Sequence, residues 1–281
     1  GIALKPDETQ EEKFKDIRIG DGYFEVSYVN EAGDKIYGVE DVRAKININT
    51  ASGDTASGGT ASGDVLQRLS PEITEDIAAN IRAWRGDEKG IEAANRDYSG
   101  KPYSCKNAPF DIVDELLLVK DVTSEIFYGT PEGETEAAIK NLITTYDPSG
   151  EFKVNINTAG RRVLESLGLE DSAQKIVNYR AGDDGYIMTS DGNKVFSDIG
   201  GVKEFLTDAE GGGFDDTALE NLHLEEVLVF NSDYFQIKSI GTLEGRKSKI
   251  KKTITCVVRR QAGGEGEESG YETDIISWFE E

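Results

Sequence analysis

The sequence predicts an α+β fold in which one antiparallel sheet is assembled from both ends of the chain and a large helical region is inserted between them. Three observations carry this prediction. Aromatic and β-branched runs occur near Tyr23 and again from Tyr234 onward. Apolar residues between them recur at three- and four-residue spacing, the period of a helix with one buried face. A seven-residue motif occurs twice, once on either side of a helical stretch.

The elements follow in order. Gly1 to Lys15 is charged and aperiodic, a solvated lead-in. Tyr23 to Val29 reads as a strand, Asn30 to Asp34 supplies turn chemistry, and Lys35 to Val39 returns as the partner of a hairpin. Val65, Leu66, Leu69, Ile73, Ile77, Ile81 and Trp84 mark a helical face. Ser70-Pro71-Glu72 is read as a helix start, with Ser at the cap and Pro at the first turn. Asp114 to Val119, Glu134 to Tyr146, Ala173 to Tyr179 and Val202 to Leu206 are further helical candidates. Gly211-Gly212-Gly213 is read as a flexible hinge. Tyr234 to Ile240, Lys251 to Val258 and Asp274 to Trp278 are the closing strands, with Gly263 to Glu268 as an acidic loop. The expected division is residues 1–49 for the first strands, 50–225 for the inserted all-α region and 226–281 for the last strands.

Within the insertion, Lys45-Ile46-Asn47-Ile48-Asn49-Thr50-Ala51 recurs as Lys153-Val154-Asn155-Ile156-Asn157-Thr158-Ala159. Each copy is followed by a leucine helix (Val65, Leu66, Leu69; Val163, Leu164, Leu167). A helix ending in an aromatic and an arginine comes next (Trp84-Arg85; Tyr179-Arg180), then a phenylalanine (Phe110; Phe196) ahead of another apolar segment. A shared order of four features predicts two related helical modules, over about residues 45–125 and 153–225. Asparagine side chains bond local backbone and favour turns, so Asn47, Asn49, Asn155 and Asn157 are expected to be architectural, with Thr50 and Thr158 capping the helices that follow. Three tandem Thr-Ala-Ser-Gly copies from Thr50 to Gly63 read as a low-complexity surface loop.

Composition limits the function. The chain has 281 residues and a formal net charge of −23. Such a field repels phosphate backbones and anionic lipid heads, and it suits cationic partners and divalent cations, or serves solubility alone. The two cysteines, Cys105 and Cys256, have no CxxC spacing, which excludes a zinc or thioredoxin-like motif and leaves a single disulfide open. The one histidine, His223, lies in a leucine-rich stretch and is read as a partly buried structural residue; alone it anchors neither a zinc site nor a histidine-based triad. No stretch has the length of a membrane-spanning helix. The chain begins at Gly1 and its only methionine is Met188, so a processed or engineered N-terminus is expected, with a membrane anchor compatible with what precedes it. No G-x-S-x-G, P-loop or H-E-x-x-H pattern is present. Carboxylates are numerous enough that an acid–base pair can always be picked out, which says nothing of geometry; the expectation is a protein that is not an enzyme.

The paired Asn-Ile-Asn-Thr-Ala motifs with their leucine helices resemble two families. One is the helix-hairpin-helix module of competence-type DNA receptors. The other is the paired SAM-like region of GspK, the large minor pseudopilin of type II secretion. The wide spacing of the copies favours the second. So does Leu116 to Val122, similar to a family segment that usually has glycine where this chain has Asp121. Ser232-Asp233-Tyr234-Phe235-Gln236-Ile237 and the tryptophan-bearing end Ile276-Ser277-Trp278 are likewise similar to that family. In a DNA-gripping hairpin, backbone N–H groups of a glycine-rich turn meet a phosphate. Here Leu69-Ser70-Pro71-Glu72 and Leu167-Gly168-Leu169-Glu170-Asp171 put carboxylates in its place.

The resemblance implies a pilin-like sheet with two SAM-like modules inserted, and an N-terminal anchor helix absent from this sequence. It implies a structural role at the tip of the type II pseudopilus, with I- and J-type minor pseudopilins as partners. The membrane would be reached only through the missing helix, and the place would be the periplasmic face of the inner membrane. Nucleic acid is not an expected partner; a competence-type nucleic-acid-binding protein is the alternative. The acidic run Asp87, Glu88, Glu92 and Asp97 ahead of Tyr98 resembles a calcium-binding segment of some GspK proteins, so these four are candidate Ca²⁺ ligands. Asp183 to Asn193 lacks EF-hand spacing and is read as a turn-rich loop.

Overall fold

The two ends of the chain meet in one sheet. The computed structural model describes residues 11–51, 64–87, 98–129, 138–146, 149–181, 194–208, 211–244, 249–262 and 271–280. Its main sheet runs in the order β1 (Ile17–Ile19), β2 (Gly22–Val29), β9 (Tyr234–Glu244), β10 (Lys249–Ala262) and β11 (Tyr271–Glu280), each pair antiparallel. The expected hairpin is present: β3 (Lys35–Tyr37) folds back on β2. β4 (Glu40–Asp41) then pairs with β9, so the first strands are locked against the last before the chain leaves the sheet. The C-terminal strands are longer than their β-branched cores suggested, because pairing to a neighbour extends a strand past its most favourable residues.

The inserted region is not all-helical. β5 (Ile46–Asn47) pairs in parallel with β6 (Ile143–Thr144), and β7 (Val154–Asn155) pairs in parallel with β8 (Leu228–Val229). The helix expected over Glu134 to Tyr146 is therefore replaced, within the described residues, by a single 3-10 turn at Ile139–Asn141 and strand β6. Ile143, fully buried like Ile46 opposite it, is held by the ladder: Ile46 N–H donates to Leu142 O at 2.9 Å and Ile48 N–H to Thr144 O at 2.9 Å. The segment Asp114 to Val119 forms a 3-10 helix over Val113–Leu118. In the first unit the helices are α1 (Val65–Leu69), α2 (Glu75–Arg85) and α3 (Ser124–Tyr128). The second has α4 (Arg161–Ser166), α5 (Ala173–Ala181), α6 (Ile199–Thr207), α7 (Asp216–Asn221) and α8 (Leu224–Val227).

Helix starts differ from expectation for a simple reason: the cap goes to whichever oxygen reaches the free N–H groups. Ser70 closes α1, and Thr74 begins α2, its Oγ accepting from Ile77 N–H at 3.3 Å with Glu75 and Asp76 in the first turn. Asp64, not Thr50, caps α1. Gly211 is no hinge. Ser172 Oγ donates to its carbonyl at 2.5 Å, the N–H groups of Gly211, Gly212 and Gly213 all reach Asp208 O, and a Cβ at Gly211 would strike the Phe205 carbonyl.

One continuous core holds both helical units. Ile46, Ile48, Leu66, Leu69 and Ile81 of the first join Ile156, Leu164, Leu167 and Ile176 of the second, all essentially inaccessible to solvent. Each such side chain contributes about 1.5–3 kcal/mol by burial. α1 packs on α4, and Arg162 Nη2 donates to Leu69 O across the seam at 2.8 Å. The sheet stands outside this cluster, with Val26, Val257 and Val258 as its buried apolar residues among those described.

Candidate functional site: two asparagine turns, a polar junction and an open sheet face

The two motif copies make the same contacts. Asn47 Oδ1 accepts from Asn49 N–H at 3.0 Å, and Asn155 Oδ1 accepts from Asn157 N–H at 3.0 Å. In each copy a backbone turn then closes on the first asparagine, with Ala51 and Ala159 N–H donating to Asn47 O and Asn155 O. The second asparagine grips the distant phenylalanine as a strand would. Asn49 pairs with both backbone groups of Phe110 at 2.7 and 3.0 Å, and Asn157 with both of Phe196 at 2.8 and 2.9 Å. The aromatic residue ahead of each arginine stacks on that phenylalanine: Trp84 on Phe110 and Tyr179 on Phe196. The arginines close the unit by donating into the motif, Arg85 to Ile48 O at 2.5 Å and Arg180 to Ile156 O and Ala159 O. Burial lowers the Arg180 pKa to about 10, still a cation at neutral pH, and its two carbonyl partners are what make a buried guanidinium tolerable.

Among the described residues, neither motif threonine caps a helix. Thr50 Oγ turns back to Asn47 O, and Thr158 Oγ donates to Asp41 at 2.6 Å. α4 begins at Gly160, which has no side chain to offer, and its cap arrives from the β2–β3 turn. Glu31 Oε1 accepts from Arg161 N–H at 2.7 Å and Oε2 from Arg162 N–H at 3.0 Å.

Asp41 is the polar centre where sheet and second unit meet. It is buried, and one carboxylate oxygen accepts from Asn155 Nδ2 (3.0 Å), Thr158 Oγ (2.6 Å) and Ser232 Oγ (2.8 Å), while the other accepts from Arg43 N–H at 2.8 Å. Asn155 also donates to Ser232 Oγ at 3.1 Å. Motif analysis named Asn155 and Thr158 and missed Asp41 and Glu31, since neither has a counterpart in the first copy. An acidic residue closing the last short strand of the hairpin was the available signal for Asp41.

The sheet has two unlike faces. Register places Ser27, Thr242, Thr255 and Val257 on the inner face, all buried toward the helical region, where Phe279 stacks on Tyr146. The outer face carries Ile19, Leu243, Ile250, Ile254, Ile275 and Trp278. A bulge at Val257/Val258 keeps Ile275 and Trp278 on that same face. Ile19 is 67%, Ile250 63%, Ile275 68% and Trp278 61% exposed on this face, which also carries the Lys252–Glu280 ion pair.

Of the candidate calcium ligands, Asp87 is described and is engaged by Arg85, whose Nε donates to it at 2.6 Å. Glu88, Glu92 and Asp97 lie outside the described residues, as do the Thr-Ala-Ser-Gly repeats from Ser52 onward and the loop from Asp183 to Asn193. Among the described residues no group of three His, Cys, Asp or Glu converges as a metal site. Cys105 and Cys256 are free thiols and do not pair: Cys105 is buried beside Ala83 O in the first unit and Cys256 sits on β10. His223 is half-buried, takes a left-handed backbone at φ +47° and has Nδ1 3.9 Å from Glu226. No described helix is long and apolar enough to cross a membrane.

No family model and no curated protein matches the sequence. The fold is similar to that in the crystal structure of the GspK-GspI-GspJ complex from the enterotoxigenic Escherichia coli type 2 secretion system, with a TM-score of 0.63 and 17% sequence identity. The likeness covers 95% of this chain and 83% of the chain it matches. The resemblance to GspK carried by short motifs is thus met by a likeness of tertiary fold along nearly the whole chain.

Proposed function

We propose that this chain is the soluble part of a minor pseudopilin of the GspK kind, working by docking and not by chemistry. The observation that carries this is the pairing of a GspK-like fold with an outer sheet face of exposed apolar side chains that has no covering layer among the described residues. A sheet with one hydrophobic face is stable only when something packs on it. In this reading a helix preceding β1 covers the outer face and reaches the inner membrane, and the I- and J-type minor pseudopilins assemble around it. The two asparagine-turn units, read as SAM-like modules, form a broad cap suited to the tip of the type II pseudopilus, on the periplasmic side. There the assembly supports protein export.

The test is co-expression with the I- and J-type minor pseudopilins of the same organism, followed by size exclusion. Co-elution of a ternary complex is the expected result, and three separate peaks would refute the assignment. A competence-type DNA receptor remains the second reading, favoured by the paired hairpin-like units; a gel shift at low salt tests it directly. Calcium binding by the segment from Asp87 to Asp97 is proposed from its run of carboxylates, with a Ca²⁺-dependent rise in melting temperature, absent with Mg²⁺, as its readout.

A further inference from the structure

A cleft of about 730 Å³ separates the inner face of the sheet from the first helical unit. Its charge runs against that of the protein. The chain carries 54 acidic and 31 basic residues, yet five lysines and three carboxylates line this cleft. Two of those carboxylates are already spent: Glu25 pairs with Lys35 at 2.5 Å and Glu40 with Lys45 at 2.6 Å. Lys238 on β9 and Lys251 on β10 form one bank and have no carboxylate partner among the described residues. On the other bank, Lys140 lies 4.5 Å from the centroid of the Tyr128 ring. Tyr128 is 49% exposed and Ile112 is 45% exposed on the same bank, and Ile240 of β9 lines the cleft as well.

We propose that this cleft is a docking groove for an acidic, aromatic-bearing peptide segment of a partner protein. Lys238 and Lys251, with Lys140 over the Tyr128 ring, set three ammonium groups among the apolar lining residues Ile112 and Ile240, so a strand with alternating carboxylates and rings satisfies both. In a chain of net charge −23, a second copy of the molecule is repelled at long range, which argues against self-association in the groove. The groove is on the opposite side of the sheet from the open apolar face, so this proposal stands or falls apart from the assembly reading above.

The test is fluorescence anisotropy with the full chain and a fluorescein-labelled decapeptide of alternating glutamate and tyrosine. A lysine–tyrosine decapeptide, heparin and phosphatidylglycerol vesicles serve as alternatives. The acidic peptide is expected to bind, and more weakly as salt is raised. Its affinity should fall at least about tenfold in the Lys238→Glu/Lys251→Glu double variant. A smaller loss is expected in Lys238→Gln/Lys251→Gln, and none in Lys175→Glu, which lies on the exposed side of α5. Circular dichroism checks that each variant is folded. Equal binding of the two decapeptides, or an unchanged affinity in the folded double reversal, overturns the proposal. Lysine-dependent capture of heparin or vesicles without capture of the acidic peptide overturns it as well.

Discussion

The amide of Asn155 donates to the carboxylate of Asp41 at 3.0 Å, although 114 positions separate them in the chain. The bond fastens the second asparagine turn to the sheet, and Thr158 and Ser232 converge on the same oxygen. Asp41→Ala removes the carboxylate that four donors share, Asn155 Nδ2, Thr158 Oγ, Ser232 Oγ and Arg43 N–H. A loss of about 2–4 kcal/mol is expected in urea titration, because unmet buried donors cost more than an average hydrogen bond contributes. A change under about 0.5 kcal/mol would show that the junction is not structural.

Glu31 and Gly160 should prove coupled. The Glu31 carboxylate occupies the space that a Cβ at Gly160 would need, and it caps α4 from another element. Glu31→Ala is expected to cost about 1–2 kcal/mol, in the range of a lost helix cap. Gly160→Ala should destabilise the parent but be neutral or stabilising beside Glu31→Ala, since the obstruction is gone. A double-mutant cycle with additive effects would contradict this geometry.

Asp121 holds a left-handed backbone at φ +65°. Left-handed backbone is tolerated by Asp and Asn and favoured by Gly. Asp121→Gly should therefore be neutral or stabilising within about 1 kcal/mol, its weak 3.4 Å contact from Asn80 being a small loss. Asp121→Val should destabilise by about 1–2 kcal/mol, as measured by thermal melting.

Acid should loosen the first unit through Glu115. Burial pushes its carboxyl pKa up, but bonds from Lys106, Asp111 N–H and Trp84 outweigh it and the net shift is downward. A folded-state pKa below the unfolded one gives stability that is present above the ordinary glutamate value and is lost as pH falls through the folded value. Urea midpoints of the parent should drop below about pH 4.5, and Glu115→Gln should flatten that part of the curve. Parallel curves for the two proteins would exclude the effect.

Ile250→Asp and Ile275→Asp test the open face. Both side chains are more than half exposed, so the isolated chain should lose no more than about 0.5 kcal/mol. In a chain that carries the preceding helix, assembly of the proposed complex around that helix should be weakened. Trp278 on the same face supplies a second readout, since its emission should shift to the blue when the face is covered. Assembly that tolerates both aspartates would place the contacts elsewhere.

Much of this molecule is written locally in its residues. Alternating aromatic and β-branched residues specified β2, β9, β10 and β11, and three- and four-residue spacing specified α1 and α2. Repetition of Asn-Ile-Asn-Thr-Ala, Trp/Tyr-Arg and Phe specified two units with one internal logic. These signals act over a few residues, within reach of a single turn or strand. What the tertiary structure alone decided lies at long separation. It gave the cap of α4 to Glu31 and not to Thr158, and turned Ile143 from helix to parallel strand beside Ile46. It also set which sheet face is packed and which is left open. A periodic pattern states that a face is apolar, but it carries no record of what will lie against it; that depends on where distant segments come to rest and on which donors they bring within 3 Å.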